Sequence, residues 1–96
     1  MIVCKYKFDK SIYSNLIPIF NDGYNGYTIT DEIDSENENH IIRTIECDVL
    51  PTMMRFGSEE NDNATDKSLS LLEIIELNTS GLTSCRRMFK NCRNLI

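Results

Sequence analysis

Residues 2–8 read Ile-Val-Cys-Lys-Tyr-Lys-Phe, which sets Ile2, Cys4, Tyr6 and Phe8 on one face and Val3, Lys5 and Lys7 on the other. A period of two predicts a strand with one buried face. The pattern returns in residues 27–33, where Tyr27, Ile29 and Ile33 share a face. It returns again in residues 41–49, where Ile41, Ile45, Cys47 and Val49 oppose Thr44, Glu46 and Asp48. These two stretches predict a hairpin, and the polar, acidic residues 34–39 between them predict a solvated tip.

Helical signals are weaker. Asp9 is placed to cap a short helix, and Ile12, Leu16, Ile19 and Phe20 fall near one stripe, until Pro18 removes a backbone donor and ends regular helix near Leu16. Asn21-Asp22-Gly23-Tyr24-Asn25-Gly26 is a turn in which both glycines supply positive φ. Pro51 halts the second hairpin strand, Met53, Met54 and Phe56 read as core cover, and residues 58–66 read as an acidic loop. Residues 69–77 are strand-like, with helix over 70–75 as the alternative.

Ninety-six residues suffice for one small domain. The net charge of −5 is segregated. Residues 28–66 set most of the acids against Arg43 and Arg55 alone, whereas residues 67–96 set Lys67, Arg86, Arg87, Lys90 and Arg93 against Glu73 and Glu76. A central acidic region repels phosphate, so nucleic acid is not the expected partner of the whole surface. No apolar run approaches the roughly 20 residues that span a bilayer, and the amino terminus lacks the pattern of a secretion leader.

Cys4, Cys47, Cys85 and Cys92 contain no C-x-x-C pair, and His40 lies at no ligand spacing from them. A metal site is therefore not indicated, no cofactor motif is present, and the thiols read as reduced, buried hydrophobes. Gly-x-Ser-x-Gly, phosphate-loop and H-E-x-x-H motifs are all missing. Cys47 and His40 could pair as nucleophile and base, but seven residues apart in strand geometry they fall on opposite faces. The chain does not read as an enzyme.

From Leu72 the sequence runs Leu-Glu-Ile-Ile-Glu-Leu-Asn-Thr-Ser-Gly-Leu-Thr-Ser-Cys-Arg-Arg-Met-Phe-Lys-Asn-Cys-Arg-Asn-Leu-Ile. This resembles the BspA-type leucine-rich repeat. Thr79-Ser80 stand at the family's Thr-Ser, Leu82-Thr83 at its Val-Thr, Met88-Phe89 at its Met-Phe, Cys92 at its cysteine and Leu95 at its closing leucine. Cys85 departs from the usual methionine and Gly81 from the usual asparagine, and the link before Thr79 is short. The three- and four-residue spacing of Cys85, Met88, Phe89 and Cys92 gives an apolar helical stripe of its own, opposite a basic stripe of Arg86, Lys90 and Arg93.

The resemblance implies an α+β chain. A strand, helix and hairpin head over residues 1–66 would lead into the first coil of a leucine-rich-repeat solenoid over residues 67–96, with further repeats beyond. Leu77, Leu82, Cys85, Met88, Phe89, Cys92 and Leu95 would then stack on the next coil. The head, notably Cys4-Lys5-Tyr6-Lys7-Phe8-Asp9 and Leu50-Pro51-Thr52-Met53, resembles that of phage and prophage structural proteins of low-GC Gram-positive bacteria.

Together these imply a non-enzymatic attachment protein of the virion, assembled in the host cytoplasm. The head would dock on tail or baseplate proteins through Ile2, Cys4, Tyr6, Phe8, Met53, Met54 and Phe56. The repeats would reach a host surface protein or glycopolymer, and a homo-oligomer is compatible with this arrangement. Two alternatives are a bacterial surface or secreted adhesion protein and an intracellular protein-binding module.

Overall fold

The computed structural model of the chain describes residues 1–57 and 64–96. The elements in order are β1 (Ile2–Asp9), β2 (Ile19–Phe20), β3 (Thr28–Asp34), β4 (Asn37–Glu46), β5 (Met54–Arg55), α1 (Asp66–Ser70) and β6 (Leu71–Leu77). Four strands form one sheet in the order β3-β4-β1-β6, with every neighbouring pair antiparallel, and β2 pairs with β5 in a separate two-stranded ribbon.

β1 is central because its apolar face is the most continuous. Cys4, Tyr6 and Phe8 are buried, and register shifts against both neighbours bend the strand. The shift between Ile2 and Cys4 also turns Val3 inward, so Val3 is buried and Ile2 half-buried, the reverse of strict alternation. On the opposite face, Lys5 lies beside Thr44 and Glu76, and Lys7 beside Ile42 and Glu73.

The hairpin turns tightly. Ser35 and Glu36 make the whole connection, and the Asp34 carboxylate accepts the Glu36 amide at 3.0 Å. Residues 37–39, expected in the loop, extend β4. Of the residue 58–66 loop, residues 58–63 lie outside the described residues, and Asp66 begins α1 behind a Thr65 cap that exchanges hydrogen bonds with Ser68. The strand-or-helix ambiguity of residues 69–77 resolves into both, with the change at Ser70-Leu71.

A layer of irregular backbone covers one face of the sheet. Tyr6 meets the Phe56 ring edge-on at 4.9 Å, Phe56 stacks on Phe89 at 6.0 Å, and Leu16, Met54 and Leu71 complete the buried cluster. Residues 10–16 are turns, not the expected helix. The Ile12 and Tyr13 amides reach the Asp9 carbonyl, while Asp9 Oδ1 accepts the Ser11 amide and hydroxyl. Seven residues before a proline, with Ser11, Ser14 and Asn15 among them, are too few to repay helix nucleation. Gly23 and Gly26 both take positive φ, at 79° and 77°.

The α+β repeat-solenoid fold is overturned. Among the described residues the fold is mostly antiparallel sheet, and no solenoid is present. Residues 78–96 contain no helix. They are successive tight turns in which the amides of Met88, Lys90, Cys92 and Leu95 donate to carbonyls three residues back. Arg87 and Asn91 hold φ at 59° and 62°, left-handed values that stop helical propagation. Leu77, Leu82, Phe89, Cys92 and Leu95 pack against the same cluster as the head residues, and β6 pairs with β1, so the 1–66 and 67–96 segments share one sheet and one core.

Candidate functional site

The side chains expected to dock a partner are mostly inside the molecule. Cys4, Tyr6, Phe8, Met54 and Phe56 are buried, and Ile2 and Met53 are half-buried. In this fold the five buried ones cannot form a contact surface without opening the core. Of the residues expected to stack on a following coil, Met88 is buried, Cys85 is exposed, and Leu77, Leu82, Phe89, Cys92 and Leu95 are half-buried against this chain's own core.

The four thiols are free and differ in setting. Burial pushes Cys4 up to about 12 and Cys92 up to about 11, so both stay protonated. Cys47 moves the other way: the Tyr24 hydroxyl first, then the Val49 and Asp48 amides, hold its thiol below the usual range despite some desolvation. His40 pairs with Asp9 at 3.8 Å near the start of β4, and Cys47 follows its far end. Seven residues of extended chain put about 23 Å between them. Among the described residues, no group of three or more His, Cys, Asp and Glu side chains is placed to hold a metal ion, and no helix is long and apolar enough to cross a membrane.

An ion pair on the inner face of the hairpin is the main feature that the sequence reading missed. Arg43 is 7% exposed. Its Nε and Nη2 donate to Asp31 Oδ1 and Oδ2 at 2.7 and 2.8 Å, and Nη1 donates to Asn15 Oδ1 and to the Leu16 carbonyl. The guanidinium lies 5.0 Å from the centre of the Phe8 ring, and the Tyr6 hydroxyl donates to the same Leu16 carbonyl. The Asp31 carboxylate raises the Arg43 pKa further, against the effect of burial. The signal was present: strict alternation puts Arg43 between Ile41 and Ile45, and Asp31 between Ile29 and Ile33, and the strands pair Asp31 with Arg43.

β3 forms the outer edge of the sheet beside this network. From Thr28 to Ile33 every residue is exposed, and its two large apolar side chains, Ile29 and Ile33, are 39% and 63% exposed. The covering layer stops short of this strand. Asp31, Glu32 and Asp34 make it acidic, with Lys7 reaching Asp34 at 3.1 Å and Lys5 reaching Glu32 at 4.0 Å. An inward-pointing charge and a charged edge are the usual guards against indiscriminate strand pairing.

Comparison with protein-family models, with curated proteins and with solved structures gives no match for this chain.

Proposed function

We propose that this protein is a non-enzymatic attachment module that engages its partner by strand addition along β3, the partner in the virion setting being a tail or baseplate protein. The observation that carries the reading is the open edge: six successive residues, 28–33, are exposed at the side of a four-stranded sheet. A strand added there gains main-chain hydrogen bonds, and its alternate side chains meet Ile29, Asp31 and Ile33 on one face and Thr30 and Glu32 on the other. The acids select a strand carrying Lys or Arg among apolar residues. They disfavour a second β3, whose Asp31 and Glu32 would come close to their own copies.

The wide separation of Cys47 and His40 supports the non-enzymatic reading. The likeness of residues 72–95 to repeats that work at cell surfaces supports the attachment setting. Docking then belongs to the hairpin edge and not to the buried faces of β1 and β5.

The test compares two octapeptides, alternating Val-Lys and alternating Val-Glu, titrated into the isotopically labelled chain. The expected result is perturbation of the backbone amides of residues 28–34 by the basic peptide alone, abolished by Ile33→Lys. Equal response to the acidic peptide, or perturbation centred elsewhere, overturns the edge reading.

A further inference from the structure

Given strand addition along β3, on which this rests, we infer that Glu32 and not Asp31 selects the cation on the incoming strand, which therefore presents Lys or Arg on the face away from its apolar side chains. The two acids are neighbours in sequence and point to opposite faces of the sheet. Asp31 lies with Ile29 and Ile33 on the inner face, opposite Arg43. Glu32 lies opposite Ile42 on the outer face, where Ile42 in turn pairs with Lys7.

On the inner face the carboxylate is already engaged. Both Asp31 oxygens accept from Arg43, at 2.7 and 2.8 Å, and Asn15 and the Leu16 carbonyl hold the guanidinium in place. A cation added beside Asp31 would meet a neutralised carboxylate with the positive charge of Arg43 behind it, an unfavourable pairing at cross-strand distance. Each Asp31 oxygen keeps a lone pair for a neutral donor, so a hydroxyl or amide fits at that position. Ile29 and Ile33, 39% and 63% exposed, flank it and call for apolar side chains two positions before and after.

The outer face is short of positive charge. Lys7 reaches Asp34 at 3.1 Å and lies beside Glu73 on β6. Lys5 stands 4.0 Å from Glu32, at the limit of an ion pair, and lies beside Glu76 on its other flank. Two ammonium groups are thus set among four carboxylates, and of the two acids on the open edge strand that face this side, Glu32 is the more exposed, with 65% of its side chain open to solvent. A Lys or Arg opposite Glu32 supplies the charge that Lys5 divides. The assignment holds for parallel and antiparallel addition alike, because alternation of side chains does not depend on strand direction.

Two heptapeptides of one composition, with blocked termini, separate the faces. Thr-Val-Lys-Val-Thr-Val-Thr carries its lysine opposite its valines, and Thr-Val-Thr-Lys-Thr-Val-Val carries it between two of them. Titrated into the isotopically labelled chain, both should perturb the backbone amides of residues 28–34, the first with about fivefold higher affinity. Glu32→Gln, at an exposed position, should weaken the first peptide about threefold and leave the second unchanged. Equal affinity of the two peptides, tighter binding of the second, or undiminished binding of the first to Glu32→Gln overturns the assignment while strand addition stands. Failure of both peptides to perturb residues 28–34 overturns strand addition itself, and this inference with it.

Discussion

Arg43 grips Asp31 with two parallel hydrogen bonds although its own position in β4 faces the core, so the charge most in need of a partner is the one least exposed to water. The asymmetry predicts unequal consequences. Asp31→Ala leaves a buried guanidinium without its carboxylate, held by Asn15, the Leu16 carbonyl and the Phe8 ring, and should cost about 2 kcal/mol. Arg43→Met keeps contact with Phe8 and leaves the more exposed Asp31 free to hydrate, and should cost roughly half as much. Urea denaturation of both variants checks the order.

Gly57→Ala should destabilise by about 1–3 kcal/mol. The methyl group meets the backbone of Arg87 and Lys90, which no side-chain rotation relieves. Thermal melting of this variant beside an alanine at Gly23, where a Cβ meets open space but φ is 79°, separates overpacking from backbone strain.

Thiol reactivity should follow setting and not chain order. Cys85 is exposed and Cys47 is half-buried with a lowered pKa, so both should be labelled by iodoacetamide in the folded protein. Cys4 and Cys92, held protonated by burial, should react only on unfolding. With all four thiols free, reductant should leave the melting temperature unchanged; peptide mass mapping and a melt with and without reductant read both outcomes.

Acid should weaken the hairpin tip. The Glu36 amide first and the Lys7 ammonium second hold Asp34 below its ordinary 3.8. A carboxylate depressed in the folded state contributes stability above the unfolded pKa and loses it as pH falls through the folded one. Stability should therefore decline below about pH 4, with a shallower decline in Asp34→Asn. Denaturation midpoints between pH 2 and pH 6 give the comparison.

What could be read in advance divides by period. Alternation located β1 and the hairpin, because a strand's side chains obey a rule that adjacent residues state directly. The same alternation, carried through, puts Asp31 and Arg43 on the inner face, but their charges argued for the outside and the pair went unread. Spacing of three and four residues between Cys85, Met88, Phe89 and Cys92 did not distinguish a helix from consecutive tight turns, since both return the chain to one side after three residues. The left-handed values at Arg87 and Asn91 decide between them; asparagine favours that conformation more than most side chains do, whereas arginine gives no sign of it. The helix expected after Asp9 does not form: its carboxylate accepts the Ser11 amide and hydroxyl in a turn, and Asn15 accepts from Arg43, a competition that only the packed layer resolves.

The place of β1 in the sheet has a consequence during synthesis. β1 is an inner strand that leaves the ribosome before either of its neighbours, and the second of these, β6, is complete only at residue 77. At ordinary translation rates of roughly 5–20 residues per second, about 2–6 s separate the emergence of β4 from that of β6. Throughout that interval the nascent chain carries a three-stranded sheet with one flank of β1 unsatisfied. Lys5 and Lys7, which reach Glu32 and Asp34 across β4, find Glu76 and Glu73 beside them only when β6 arrives.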